Sequence, residues 1–303
     1  MPLTPLPKPV FFGKLIFGLI LLAIAVTLFL IVQAPVIFMS EGTRALSRVD
    51  RWFCLLEYHE ENHPEPIAWG SYQMAILDRD SHPPLEALPE NFIPIAYVSF
   101  GEAENYRSYW SRIKGASWIV KENKNWKGSY WVDVRSREWQ ALLLNEVIPQ
   151  VKAQGFRGIF MDTLDVPIEL EHKHPIDFSG SKDALEALVA QIRRRHPDFI
   201  LVSNNAYEML PRLAPYLNGV LAEGLNSHID FEQGGFRLAE VTRRGKKIEV
   251  LKHVSRKQAL PVFVLDYAPE NSAAGAESFR ALSEKLGFKP YVAGRKLDRV
   301  YPQ

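Results

Sequence analysis

The segment Gly155-Phe-Arg-Gly-Ile-Phe-Met-Asp-Thr-Leu-Asp165 limits what this chain can fold into more than any other. Gly155 stops a helical pattern, Ile159, Phe160 and Met161 read as a short apolar strand, and Asp162 stands where that strand runs out. A strand that follows a long helix and delivers an acid at its C-terminal end is how a parallel α/β enzyme presents catalytic groups. Gly219-Val-Leu-Ala-Glu223-Gly repeats the design: strand, carboxylate, glycine turn. Two carboxylates on separate strand ends point to acid/base or nucleophilic work on a glycosidic bond.

The same rhythm extends over most of the chain. Ser71 to Leu77 reads as a strand ending at Asp78, and Ile93 to Phe100 as one ending in Gly101-Glu102. Tyr130 to Val134 carries Asp133, Gly158 to Met161 ends at Asp162, and Phe199 to Ser203 ends at Asn204-Asn205. Val220 to Ala222 ends at Glu223, Pro261 to Leu265 at Asp266-Tyr267, and Pro290 to Ala293 makes an eighth. Helical spacing of apolar residues marks Ser136 to Gln154, Asp183 to Arg195 and Ala274 to Leu286. Eight strands, mostly alternating with helices, predict an α/β fold, a (β/α)8 TIM barrel. A doubly wound open sheet is the runner-up. The barrel is preferred because polar residues end nearly every strand, whereas an open sheet gathers them near one switch point.

Ahead of the barrel, Leu15 to Val32 is apolar throughout apart from Gly18 and Thr27, long enough to cross a bilayer as a helix. Pro35 follows the one good small residue, which disfavours signal-peptidase cleavage, so an uncleaved anchor is expected. Lys8 and Lys14 precede the run and Arg44, Arg48 and Arg51 follow it. Lys14 abuts the apolar stretch, which tips the orientation to an inside N-terminus and an exported domain, periplasmic or extracellular. The expected organisation is a tail at 1–14, a transmembrane anchor at 15–32, a connector at 33–66 and the barrel at 67–303.

Bulk properties exclude little but do so clearly. A net charge of +1, a pI near 7.8 and the absence of a basic stripe interleaved with aromatics give no sign of a nucleic-acid partner. Cys54 is the only cysteine, so no intramolecular disulfide forms. Phosphate-binding glycine loops, zinc-type Cys/His spacings and a nucleophile elbow are absent, and no cofactor or metal is called for. His172, His174 and Asp177 lie in a polar loop without ligand spacing and read as solvated.

Asp162 and Glu223 are the expected catalytic pair, with Asp165 as a further catalytic or substrate-binding candidate. One carboxylate must stay ionised while the other is protonated, so their environments must separate their pKa values. In a retaining reaction Asp162 would be the nucleophile and Glu223 the acid/base; carboxyls about 5 Å apart imply that course and about 6.5–9.5 Å imply inversion. Asp78, Ser99, Glu102, Asn204, Asn205, Asp266 and Tyr267 form an expected binding shell at the other strand ends. Asp78, Glu102, Asp162, Glu223 and Asp266 together would give a negative mouth suited to a cationic or amino-sugar substrate.

Three stretches together carry a family resemblance: Ile95-Ala-Tyr-Val-Ser-Phe-Gly-Glu-Ala-Glu-Asn-Tyr-Arg-Ser-Tyr-Trp110, then Gly155 to Asp165, then Leu221-Ala-Glu-Gly-Leu225. They resemble the glycoside hydrolase family 114 domain, the endo-α-1,4-polygalactosaminidase group, over about Trp69 to Leu297. The resemblance implies a TIM barrel that cleaves α-1,4-linked galactosamine-rich exopolysaccharide. It places the catalytic pair on the fourth-strand aspartate, either Asp162 or Asp165, and on Glu223; strand-end geometry favours Asp162. Arg157 stands where the family often has an acid, at the start of the strand and away from the mouth. The expected function is a membrane-anchored glycoside hydrolase. The alternatives are a non-catalytic polysaccharide-binding barrel in an exopolysaccharide or biofilm assembly, and an enzyme of another class using the same carboxylates.

Overall fold

A computed structural model describes residues 39–62, 67–269 and 272–301. The expected tail and transmembrane anchor lie outside the described residues. Among those described, no helix is long and apolar enough to cross a membrane.

Eight parallel strands form one sheet in the order β1 (Trp52–Leu55), β2 (Met74–Asp78), β3 (Ile93–Ser99), β4 (Gly158–Asp162), β5 (Ile200–Asn204), β6 (Gly219–Glu223), β7 (Val262–Tyr267) and β8 (Lys289–Ala293). Their residues are almost all buried, as expected for strands covered on both faces and therefore near-continuously apolar in sequence. Sequence order equals spatial order, and the sheet curls into a nearly closed barrel. At the seam, β1 and β8 meet through side chains and flanking loops. Trp52 is fully buried, with its ring 5.4 Å from those of Phe263 and Tyr291 and its Nε1 donating to the Lys289 carbonyl. The Leu56 N–H donates to Leu297 O at 2.9 Å.

Two expectations are corrected. The segment 33–66 is not merely a connector: it contributes the helix Glu41–Ser47, capped by Ser40, and the barrel strand β1. Conversely, Tyr130 to Val134 is not a barrel strand. Ser129–Val132 is the middle of a three-stranded antiparallel sheet, flanked by Glu102–Glu104 and Ile119–Glu122, inserted between β3 and the helix that begins at Arg137. The count of eight holds with a different membership.

The predicted helix at Ser136 to Gln154 is observed as Arg137–Leu142, a π turn at Leu143–Val147 and Ile148–Ala153. Pro149 lacks an N–H and cannot extend a regular ladder backwards, which the wider turn accommodates. Ser136 caps its start and Gly155, at φ +101°, lets the chain leave its end in a conformation that costs other residues strain. Trp139 on this helix is fully buried and donates to the Phe100 carbonyl, fastening the helix to the end of β3. Ser181–Arg195 and Ala273–Glu284 match the other two predictions closely. The helices Asp165–Lys173 and Val241–Gln258 were not predicted. The second buries only Leu251 and Val254 along its length, so its apolar stripe is too thin to register as a period.

Candidate active site

The C-terminal ends of β4, β5 and β6 bring Asp162, Asn204 and Glu223 together. Asn204 lies on the intervening strand, and both hydrogens of its side-chain amide are used: Nδ2 donates to Asp162 Oδ1 at 2.7 Å and to Glu223 Oε2 at 2.7 Å. The two facing carboxylate oxygens are therefore at most twice that distance apart. Tyr267, at the end of β7, donates its hydroxyl to Glu223 Oε1 at 2.5 Å. Tyr97, inside β3, lies beside Asp162, and burial first, then that carboxylate, holds its hydroxyl well above the usual tyrosine range. Asp162 and Glu223 keep partly open faces toward the mouth while the strands beneath them are buried.

The two acids differ in surroundings. Burial, and then the adjacent Asp162 carboxylate, push the Glu223 carboxyl above its ordinary range, while the Tyr267 and Asn204 hydrogen bonds pull the other way. Glu102 is buried on the inserted sheet with Oε1 held by Asn123 Nδ2 at 2.7 Å. Burial, with Asp162 and Glu104 nearby, lifts its pKa to about 7, against the bond from Asn123. Lys247, half-buried on Val241–Gln258, has its ammonium 5.0 Å from the Tyr207 ring centre. Burial lowers its pKa, with Asp266 and Glu223 opposing.

Backbone geometry at the strand ends is held by Thr163. It adopts φ +58°, and its hydroxyl accepts from Gly101 N at 2.8 Å and lies 2.8 Å from Ser99 Oγ. At Gly101 a Cβ would stand 2.2 Å from the Thr163 carbonyl, so only glycine lets the β3 exit pass this close to Asp162. Ser99 thus braces β3 against β4. Asn205, at φ +47°, accepts from the Glu223 N–H at 3.0 Å and fixes the end of β6.

Two of the expected shell acids are turned to structural partners. Asp78 is clasped in bidentate fashion by the buried Arg107, at 2.9 and 2.7 Å, and Arg107 also binds Glu104 and Asp80. Asp266 is buried and accepts from Asn226 N, Asn226 Nδ2 and Ser227 N, tying down the loop after β6. Side chains alternate along a strand, so on β7 Tyr267 reaches Glu223 while Asp266 takes the opposite face. Asp165 is exposed at the first position of Asp165–Lys173, one turn beyond the strand end. Arg157 precedes β4 and directs Nη1 toward the Phe92 carbonyl, at the barrel end away from the pair. His172 faces Glu208 at 3.2 Å.

Sequence reasoning missed Tyr97, Thr163, Asn123 and Lys247. Tyr97 had a usable signal: it lies two residues before Ser99 and so on the same face of β3.

Glycosidases present two carboxylates at one barrel mouth, and comparison with known proteins agrees with that class. A family model described as Glycoside-hydrolase family GH114 matches residues 41–303, and the chain belongs to this family of glycoside hydrolases. Among solved structures, the glycoside hydrolase domain of PelA from Pseudomonas aeruginosa superposes with a TM-score of 0.70 at 24% identity, over 82% of this chain and 96% of that one. Aspergillus fumigatus Ega3, solved as a complex with galactosamine, gives a TM-score of 0.63 at 14% identity over 83% and 93%. Both likenesses are of fold. An uncharacterized protein of Deinococcus radiodurans is 27% identical over 84% of each chain, and one of Thermotoga maritima 26% identical over 92% of this chain and 90% of its own.

Proposed function

We propose that this hydrolase cleaves α-1,4-linked galactosamine-rich exopolysaccharide with retention of configuration, Asp162 acting as nucleophile and Glu223 as acid/base. The shared Asn204 amide carries the reading, because it holds both carboxylates within the short separation that retaining enzymes use, about 5–5.5 Å. A raised Glu223 pKa suits a group that must donate a proton first. The Asn204 amide orients Asp162 through its bond to Oδ1.

In the first step Asp162 forms a bond to the anomeric carbon. The glycosidic C–O bond breaks as Glu223 gives its proton to the departing oxygen. In the second, Glu223 takes a proton from water, whose oxygen attacks the anomeric carbon and expels Asp162. Asp162 and Asp165, both close enough to act on Glu223, leave negative charge at the mouth that favours an amino sugar in its ammonium form.

The apolar run at 15–32 supports a membrane tether with the barrel exported. The test is oligosaccharide release from an α-1,4-galactosamine polymer, with the anomer of the new end followed by NMR. Asp162→Asn and Glu223→Gln should abolish release and retain polymer binding. Polymer bound by the wild type without release would leave a binding barrel instead, and an inverted product would overturn the assigned roles.

A further inference from the structure

We propose that Trp126 and Phe231 form an aromatic clasp across the barrel mouth that stacks on a sugar ring of the polymer away from the cleaved bond; this rests on the glycosidase reading. Trp126 lies in the turn between the inserted strands Ile119–Glu122 and Ser129–Val132, an excursion that leaves the barrel after β3. Phe231 lies at the tip of the hairpin Ser227–Ile229/Phe236–Leu238, which leaves after β6. In the barrel order β3 and β6 are separated by β4 and β5, whose ends carry Asp162 and Asn204. The two tips nevertheless touch, ring centres 5.5 Å apart at 78°. Arg295, just past β8, sets its guanidinium 5.5 Å from the Phe231 ring centre from a third point on the rim. Contacts among excursions rooted on β3, β6 and β8 join points of the rim that the strand order keeps apart.

The clasp is also coupled to the chemistry beneath it. Phe236, on the return strand of the hairpin, stacks on Tyr267 with ring planes 10° apart, and Tyr267 is the donor to Glu223. Ser227 donates to the Tyr267 carbonyl and accepts from its N–H, and Asp230 with Arg237 stiffens the hairpin. Despite that bracing, Trp126 and Phe231 stay 47% and 41% exposed. Large aromatic surface left open over a polar site marks a binding surface, and the C–H face of a pyranose ring is the apolar surface a sugar polymer offers it.

The experiment uses Glu223→Gln protein, which does not consume its ligand, and α-1,4-galactosamine oligomers of two to eight residues titrated calorimetrically. Affinity should rise with length. Adding Trp126→Ala or Phe231→Ala should lower it about fivefold to tenfold for the longer oligomers and less than about twofold for the disaccharide. Arg295→Gln should give a smaller loss with the same length dependence. Length-independent losses, no loss in either aromatic variant, or no binding of any oligomer by the parent would each overturn the clasp. Length-dependent losses alongside a wild-type protein that releases no sugar would keep the clasp and refute the proposed hydrolysis.

Discussion

Asp162 and Glu223 share one amide group: Asn204, on the strand between theirs, donates a hydrogen to each at 2.7 Å. Two carboxylates this close repel, and a neutral donor between them lowers that repulsion without consuming either charge. Among the described residues the Asn204 Oδ1 atom is buried without a hydrogen-bond partner, so the two acids set this amide orientation.

Replacing that bridge should separate positioning from chemistry. Asn204→Ala removes two charge-assisted hydrogen bonds, and kcat is expected to fall about 10- to 100-fold with a smaller change in KM. Asn204→Asp puts a third acid in contact with the pair and should be worse at neutral pH, with partial recovery on acidification. Steady-state kinetics from pH 4 to 9 check both, and equal activity of the Asp variant and wild type at pH 7 would refute the bridging role.

Tyr267→Phe tests the Glu223 environment by sign. The Tyr267 hydroxyl lowers the Glu223 pKa, in opposition to burial and Asp162. Deleting it should move the alkaline limb of kcat/KM, where protonated Glu223 is lost, to higher pH. A limb that moves down or stays fixed would rule out Glu223 as the titrating acid.

Glu102 should leave a pH signature in stability. Its pKa in the folded protein is about 7 against an ordinary 4.5, so the folded state holds this proton more tightly than the unfolded chain. Its contribution is therefore most favourable below about pH 4.5, declines as pH rises through that interval and is fully lost above about 7, on the order of 3 kcal/mol in all. Glu102→Gln should remove this decline. Urea melts at pH 4.5 and 8 provide the comparison, and an unchanged difference between the two pH values would contradict the assignment.

Arg107→Met should destabilise the protein by about 3–5 kcal/mol, because Asp78 and Glu104 lose a buried cation that both depend on. Arg107→Lys keeps the charge but cannot reproduce the forked contact to Asp78, and should recover only part of the loss. Thermal denaturation of both variants measures it.

Gly101→Ala places a methyl group against the Thr163 carbonyl, in backbone that cannot yield without moving Asp162. A loss of about 2–4 kcal/mol in stability is expected. Activity should fall beyond what the unfolded fraction explains, as judged from kcat per folded molecule.

The sequence showed β4 and β6 well because each is a short apolar run closed by an acid, and burial on both faces permits nothing else there. It hid β1, whose four residues Trp52–Leu55 sit among charged neighbours and gain their strand character from pairing with β2. Tyr130 to Val134 misled for the converse reason. Aromatic and β-branched residues suit any sheet, and nothing local says which sheet. Within the site, the acids at strand ends were visible but the direction of each was not. Asp78 and Asp266 satisfy Arg107 and the loop after β6, whereas Tyr267 reaches Glu223. One residue of register decides between those outcomes, and Arg107 and Asn226 become partners only through the fold.

The meeting of β1 with β8 has a consequence for synthesis. Trp52 is covered by Phe263 and Tyr291, and the N–H groups of Leu56 and Glu57 are satisfied at Leu297. A nascent chain therefore carries an uncovered tryptophan and open backbone donors at this strand until residues 289–297 have left the ribosome. Nonsense truncations before Lys289 should expose that edge permanently and hand the product to chaperones and proteases.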